Sequence, residues 1–166
     1  MNPADDPDVI DTLVAEWRRT RPRTRPEAMQ IIGRIIRLGR VYEDEVVRLL
    51  RPHGLSYSDF DVLATLCRSG EPYEMLPTQL QRNVLLTSGA MTACLRRLEA
   101  AGLVERHAVD GDRRRLSAKL TPTGMETVET LIDRRFALAD AAVEVLDSCE
   151  TDALATVLRH LAKATS

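Results

Sequence analysis

The segment TQLQRNVLLTSGAMTACLRRLEAAGLVERHAVDGDRRRLSAKLT, residues 78–121, decides the fold. Its middle part predicts an amphipathic helix, because apolar residues after Ser88 recur every three or four positions. Thr87 or Ser88 supplies an N-cap oxygen for this helix. Gly102 is expected to end it, because the residue just past a helix is commonly left-handed and glycine adopts that conformation without steric cost. A shorter helix is expected before it, over residues 78–84. The apolar face of the main helix consists of Ala90, Met91, Cys94, Leu95, Leu98 and Ala101.

A hairpin is predicted directly after this helix. Residues 103–109 and 116–121 both have the composition of strands, and the intervening Asp110-Gly111-Asp112 has that of a turn. Three arginines follow the turn, namely Arg113, Arg114 and Arg115. A helix followed by a basic hairpin is typical of a winged helix-turn-helix. We therefore predict a mainly α fold with a small antiparallel β wing, built as a winged helix-turn-helix lobe with helical dimerisation arms.

The same pattern favours binding to double-stranded DNA. The major groove admits an α-helix and displays base edges that differ, whereas a narrow minor groove concentrates negative potential within reach of an arginine-tipped ribbon. Short hydroxyl side chains suit phosphates and base edges, and arginine suits guanine. For Arg97 the alternative is an ion pair with Glu99 or Glu105, and for a wing arginine it is an ion pair with Asp112. The residues predicted to contact DNA are Thr87, Ser88, Thr92, Arg96 and Arg97 on the helix and Arg113, Arg114 and Arg115 on the wing.

Charge is distributed unevenly along the chain, although the net charge is only −2. Residues 82–119 contain eight Lys or Arg against four Asp or Glu, a net charge of +4. Residues 120–166 contain four against eight, a net charge of −4. The basic segment coincides with the predicted winged helix-turn-helix, which supports nucleic-acid binding there.

Long amphipathic segments flank the predicted lobe. Residues 27–51 predict one long helix with a wide apolar face. Residues 124–147 and 151–164 predict two C-terminal helices, separated by a break and cap at 148–150. These apolar faces exceed what a small winged helix can cover, which predicts a homodimer with interlocking arms. Dimerisation also has a geometric reason, because two recognition helices must lie about one DNA turn apart to bind a symmetric site.

The N-terminal region is predicted to add one short helix over residues 8–19. Its apolar stripe consists of Val9, Leu13 and Trp17, and a basic linker bounded by prolines follows over residues 21–26. The linker is expected to be a solvated connection in preference to a nucleic-acid arm. We divide the chain into the N-terminal helix and linker (1–26), a dimerisation helix (27–55), the DNA-binding lobe (56–121) and the C-terminal dimerisation helices (122–166).

Three motifs resemble the MarR family of bacterial transcription regulators over roughly residues 30–165. They are the helix start S-G-x-[ML]-T at 88–92, the passage R-L-E-x-x-G-L-V-x-R at 97–106, and D-x-R at 112–114 followed by L-T-x-x-G at 120–124. The resemblance implies a homodimer that binds a pseudo-palindromic operator, more often as a repressor, and is released or retuned by a small ligand or oxidant. It also implies that Arg114 contacts DNA while Asp112 orients it.

A ligand site is implied by a further resemblance, to the urate-responsive PecS and HucR type within the family. In that type a tryptophan of an additional N-terminal helix, an aspartate and an arginine line a pocket; Trp17, Asp61 and Arg68 stand at the matching places. Cys94 stands where a second arginine is expected, and losing a cationic donor argues against urate while leaving a site for another small anionic or aromatic molecule. The alternative is that Trp17 anchors a core and Asp61 is a surface charge.

Other function classes find little support. Cys67, Cys94 and Cys149 are widely spaced and form no metal or disulfide motif. A redox-sensing regulator stays an alternative because Cys94 lies near two arginines, although buried, inert cysteines are the better expectation for all three. A winged helix that binds another protein is a second alternative. No catalytic motif is present, so neither an enzyme nor a cofactor is expected. The N-terminus lacks the features of a signal peptide and no apolar run approaches the roughly 20 residues of a membrane span, which favours a cytoplasmic protein.

Overall fold

The structure, a computed structural model, describes residues 6–84, 86–109 and 112–164, with residues 109 and 112–115 described in their backbone alone. The chain divides into two compact units, residues 1–47 and 48–166. The helices are α1 (Val9–Thr20), α2 (Met29–Leu50), α3 (Tyr57–Arg68), α4 (Pro77–Val84), α5 (Ser88–Ala100), α6 (Pro122–Val143) and α7 (Ser148–Ala164). The strands are β1 (Glu74–Met75), β2 (Val104–Val109) and β3 (Asp112–Leu120). The predicted mainly α fold with a small antiparallel sheet is confirmed.

Helix α1 begins at a reciprocal cap. The Asp8 carboxylate accepts the backbone N–H of Asp11 at 3.1 Å, and the Asp11 carboxylate accepts that of Asp8 at 2.9 Å. Arg34 of α2 donates to both carboxylates, at 3.0 and 2.8 Å. The backbone bond from Asp8 and then the Arg34 guanidinium hold the pKa of Asp11 below its usual range. This ion pair network joins α1 to α2 within the first unit.

The buried face of α1 differs from the predicted stripe. Ile10 and Val14 are buried, and a Cβ added at Gly33 of α2 would lie 3.1 Å from Ile10 Cδ1, so α1 packs closely over that glycine. The predicted stripe is exposed instead: Val9, Leu13 and Trp17. Both sets have the same four-residue spacing, so periodicity alone did not distinguish the inward row from the outward one.

Helix α2 is two residues shorter at its start than predicted and ends one residue earlier. Residues Pro26–Ala28 and Arg51–His53 form single 3-10 turns at its two ends. Much of the apolar surface of α2 is exposed in the single chain: Ile31, Ile32, Ile35, Ile36, Leu38, Val41, Tyr42 and Val47. A helix that exposes so much apolar surface in one chain requires something else to cover it.

The core of the second unit lies between α3, α4, α5, α6 and the sheet. Its fully buried large side chains include Leu63, Leu66, Leu80, Met91, Leu95, Leu98, Val128 and Leu131. The strand order is β1-β3-β2 with antiparallel pairing throughout. Strand β1 was not expected from the sequence, and its Glu74 pairs with Lys119 of β3. Strand β3 begins at Asp112, four residues earlier than predicted, so the arginine run belongs to the strand.

The C-terminal helices also differ from prediction at their boundary. Helix α6 ends at Val143, and α7 begins at Ser148, inside the predicted break at 148–150. The cause is Asp147, whose carboxylate accepts the backbone N–H of Glu150 at 2.9 Å while the Glu150 carboxylate accepts that of Asp147 at 3.0 Å. No residue of α7 is buried. Within the three described ranges, no helix combines the length and apolar character needed to cross a membrane.

Candidate nucleic-acid interface

The start of α5 presents short hydroxyl side chains on the surface. Thr87, one of the two residues predicted as the cap, is the N-cap, and its side-chain oxygen accepts the backbone N–H of Ala90 at 3.2 Å. Thr87, Ser88 and Thr92 are all exposed. The Thr92 hydroxyl donates to the Ser88 carbonyl at 3.0 Å, which leaves its oxygen lone pairs and methyl group available to a ligand. The first-turn N–H groups that this cap leaves without a partner in the helix favour an anion such as a phosphate at this end of α5.

The end of α5 is closed by Gly102, whose φ of 69° lies in the left-handed region. The backbone N–H of Leu103 donates to the Leu98 carbonyl and that of Gly102 to the Glu99 carbonyl, both at 3.0 Å. This pair of bonds is the Schellman arrangement, and Leu103 is buried beside it. Glu99 also forms an ion pair with Arg106 of β2 at 3.5 Å. The glycine and both charged residues therefore direct the chain from α5 into the sheet.

Arg96 and Arg97 have different surroundings although they are neighbours. Arg96 is exposed, and among the described residues it has no ion-pair partner. Arg97 forms an ion pair with Asp59 of α3, with Nη2 2.7 Å from Oδ1. The pairing of Arg97 with Glu99 or Glu105, weighed from the sequence, is wrong. Residues two apart on a helix do not face each other, and Glu105 lies 2.8 Å from His107.

Asp59 is 3% exposed and is surrounded by hydrogen-bond donors. Its Oδ2 accepts the Ser56 backbone N–H at 3.0 Å and the Ser56 hydroxyl at 2.6 Å, and its Oδ1 accepts the Cys94 thiol at 3.1 Å. Burial alone would raise the pKa of the Asp59 carboxyl, but hydrogen bonds from Arg97, Ser56 and Cys94 outweigh it and hold the pKa below its usual range. Sequence reasoning missed Asp59; the signal was its place three residues after Ser56, the spacing of a capping box.

The surroundings of the cysteines count against redox sensing through Cys94. Cys94 is buried, and burial together with the neighbouring Asp59 raises the pKa of its thiol to about 12. A thiol with that pKa is not a thiolate at neutral pH. Cys67 is half-buried, and burial, then Glu129, raises its pKa. Cys149 is exposed, so the expectation that it is buried is wrong.

The wing consists of β2 and β3 in the register Arg106↔Ala118, with an irregularity between Ala108 and Val109. Asp110 and Gly111 of the predicted turn lie outside the described residues. Arg113, Arg114 and Arg115 lie in β3, and their DNA contacts stay a prediction.

Two of the three predicted ligand residues lie together in the second unit. Burial raises the pKa of Asp61, and the charges of Arg68 and Arg135 partly offset that effect. Arg68 is exposed and donates to the Thr65 hydroxyl at 3.3 Å. The sequence did not predict Arg135 of α6 as a member of this cluster. The available signal was its position on the same stripe of α6 as the buried Val128 and Leu131, where an arginine is unusual.

Trp17 belongs to the first unit, and it is 51% exposed. The alternative that Trp17 anchors a core of the single chain is therefore wrong. Asp61 is half-buried, so it is not a simple surface charge either.

An exposed helix face with hydroxyls at its start and an arginine that pairs with none of the described residues, carried on a lobe with a β wing, is the arrangement of a winged-helix DNA-binding protein. The chain matches the MarR family over residues 53–115. It is 32% identical over 124 residues to the HTH-type transcriptional regulator PecS of Dickeya dadantii, covering 75% of each protein. It is similar in fold to the MarR family regulator Sco3205 of Streptomyces coelicolor, solved in complex with DNA, with a TM-score of 0.74 and 22% identity over 85% of this chain and 89% of that one. It is also similar in fold to NadR, solved in complex with 4-hydroxyphenylacetate. The TM-score is 0.62 and the identity 26%, over 80% of this chain and 92% of NadR.

The chain belongs to the MarR family of transcriptional regulators. It is a DNA-binding regulator and not an enzyme. The resemblance drawn from the three motifs is confirmed.

Proposed function

We propose that the protein is a homodimeric repressor that binds a pseudo-palindromic operator, with α5 in the major groove and the β2–β3 wing along the minor groove. The observation that carries this proposal is the outer face of α5, where Thr87, Ser88, Thr92 and Arg96 are all exposed and where Arg96 has no ion-pair partner among the residues that the structure describes. Hydroxyls near the helix start suit phosphates, and a free arginine suits a guanine or a phosphate. In this proposal residues 56–121 form the DNA-binding lobe, and the N-terminal helix and linker (1–26) precede the dimerisation helix (27–55).

The dimer in this proposal is supported by apolar side chains that the single chain leaves in solvent. They lie along α2 and recur on α6 and α7, at Phe136, Val143, Leu154, Val157 and Leu158. A single folded chain rarely exposes so large an apolar surface without a partner. Residues 27–55 and 122–166 would cover one another across a two-fold axis and hold the two α5 helices about 34 Å apart.

The DNA contact is tested by Arg96→Ala. We expect at least a tenfold loss of affinity for the tightest duplex that the wild-type protein selects from a random library, because a well-placed arginine contributes about 1–3 kcal/mol at a base. Arg134→Ala on α6 removes the same charge from an exposed position and should leave affinity unchanged. Arg114→Ala, measured alongside, should weaken binding without changing the oligomeric state. Fluorescence anisotropy measures the affinities, and equal affinities for all variants and wild type would remove α5 and the wing from the DNA interface.

We further propose that a small anionic or aromatic molecule lowers operator affinity by binding beside Asp61 and Arg68. Arg135 supplies a second cation to this cluster, which the sequence did not predict. Two guanidinium groups suit a carboxylate, since each can donate two parallel hydrogen bonds. The ligand of NadR, 4-hydroxyphenylacetate, has that chemistry. Cys94 stands where a second cation would be needed, and a thiol carries no positive charge, so urate is the weaker candidate.

The effector proposal is tested with 4-hydroxyphenylacetate and urate as probes. We expect 4-hydroxyphenylacetate to raise the melting temperature and to weaken DNA binding by about 5–150-fold, the usual range of allosteric coupling. Arg68→Ala and Arg135→Ala should blunt both effects, while Arg134→Ala should not. For Trp17 the resemblance alone supports a part in the response, so Trp17→Ala should bind DNA normally and respond less. A response that survives both arginine substitutions would place the effector elsewhere.

A further inference from the structure

Arg97 lies on α5 but its guanidinium is directed to α3. Nη2 is 2.7 Å from Oδ1 of Asp59, and Nε is 3.4 Å from Oδ2. The two partners differ in burial, with 52% of the Arg97 side chain exposed against 4% of that of Asp59. The buried end of this ion pair is therefore the carboxylate, which depends on its donors because a buried charge without partners is costly.

We propose that Asp59 is a positioning residue for DNA binding: it fixes the orientation of α5 through Arg97 and Cys94, and Arg97 acts through Asp59 and not by contacting DNA. The inference rests on the proposed contact between α5 and DNA. Arg97 was predicted from the sequence to contact DNA, and in this proposal the same side chain instead orients α5.

The bonds from α5 to Asp59 fix the rotation of α5 about its own axis as well as its distance from α3. Cys94 and Arg97 are three residues apart, hence neighbours on one face, and both donate to the same carboxylate. At about 100° per residue, this face points roughly 150° away from the face that carries Thr92 and Arg96. The bonds from Cys94 and Arg97 to α3 therefore determine how Thr92 and Arg96, on the opposite face, are directed toward a DNA groove.

The carboxylate also belongs to the start of α3. Asp59 accepts the backbone N–H of Ser56 at 3.0 Å, while the Ser56 hydroxyl accepts the backbone N–H of Asp59 at 3.2 Å. This capping box fixes the Asp59 side chain in place before it meets α5. One buried group thus connects the first turn of α3 with the middle of α5, so a change at either helix is transmitted to the other.

A double-mutant cycle with Asp59→Asn, Arg97→Ala and the combined variant tests the proposal. Binding is measured by anisotropy against the selected duplex and against a random duplex of equal length, over a series of salt concentrations. Each single change is expected to weaken binding to the selected duplex about tenfold, and the double change to weaken it about tenfold rather than a hundredfold, because the two residues act through one shared interaction. Binding to the random duplex, and the slope of log Kd against log salt, should stay at their wild-type values.

Arg97 in direct contact with a phosphate would give a different result. Arg97→Ala would then weaken binding to both duplexes and reduce the salt slope by about 0.9 for each phosphate that the arginine had neutralised, whereas Asp59→Asn would not reproduce it. That outcome, or additive effects of the two changes, would overturn the proposal. Because the Arg97 side chain is half exposed, Arg97→Ala is expected to fold even if Asp59→Asn does not, and its salt slope alone then decides.

Arg96→Ala, measured in the same series, separates this inference from the proposed function. If Arg96→Ala weakens binding but Asp59→Asn and Arg97→Ala do not, Asp59 has no positioning role and the α5 contact stands. If none of the three changes binding, the α5 contact itself is wrong. Arg97→Lys adds a conservative test: lysine keeps the charge but not the guanidinium fork, so it should restore affinity only partly.

Discussion

Gly124→Ala is expected to destabilise the protein by more than about 3 kcal/mol, beyond the range of most single substitutions. A Cβ at this position would lie 2.0 Å from the Leu103 carbonyl oxygen and 2.9 Å from its carbon. Both atoms are backbone, so no side chain can rotate to relieve the overlap. The expected fall in melting temperature is about 6–12 °C for a chain of this size, measured by circular dichroism.

The contact at Gly124 is fixed by hydrogen bonds on both sides. The backbone N–H of Thr121 donates to the Leu103 carbonyl at 3.1 Å, and the Thr121 hydroxyl donates to the Gly102 carbonyl at 2.7 Å. The same hydroxyl oxygen accepts the backbone N–H of Gly124 at 2.9 Å as the N-cap of α6. Moving α6 away to admit a methyl group would break this set of bonds and separate α6 from the end of α5.

Gly89→Ala is the matched control, because a Cβ there would meet no described heavy atom within 4 Å beyond its chain neighbours and its own helix backbone, and Gly89 lies in the first turn of α5. Alanine favours a helix over glycine by up to about 1 kcal/mol, so this variant should be as stable as the wild type or slightly more stable. Equal melting temperatures for Gly124→Ala and wild type would show that α6 does not approach the Leu103 backbone this closely.

The elements that local chemistry determines were predictable from the sequence. The N-cap of α5, narrowed to Thr87 or Ser88, and the glycine that ends the helix, Gly102, both follow from residues that satisfy terminal backbone groups. The two wing strands follow from their composition. Strand β1 was not predictable, because its two residues are held by pairing with β3, including the bond from the Ser117 hydroxyl to the Glu74 carboxylate.

Contacts between distant residues explain what the sequence did not reveal about the candidate site. Asp59 and Arg97 are 38 positions apart, and no local pattern joins them. Proximity along the chain suggested Glu99 or Glu105 instead, whereas helix geometry directs Arg97 across to α3. The charged residues of the motif at 97–106 therefore serve the packing of the lobe in large part, and the exposed Arg96 just before it is the better candidate for reading DNA.

In the proposed dimer, a change that separates the two subunits is expected to have the largest effect on DNA binding. Ile32→Asp combined with Ile36→Asp places two charges on the exposed apolar face of α2, and burying them in a dimer would leave them without partners. We expect the variant to be monomeric at micromolar concentration by sedimentation equilibrium. Affinity for the two-half-site duplex should fall by about 100-fold or more, because each half-site would then be bound independently.

The matched control for the dimer is Arg37→Asp, which lies on the same helix and changes the net charge by the same amount. It should remain dimeric, because Arg37 lies about 100° or more around α2 from Ile32 and Ile36. A second measurement does not depend on the variant folding: the melting temperature of the wild-type protein should rise with protein concentration, as mass action requires of a dimer whose folding and association are linked. Two results together would show that α2 is not part of the dimer interface. The melting temperature would not depend on protein concentration, and the double variant would be dimeric and bind the duplex as tightly as the wild type.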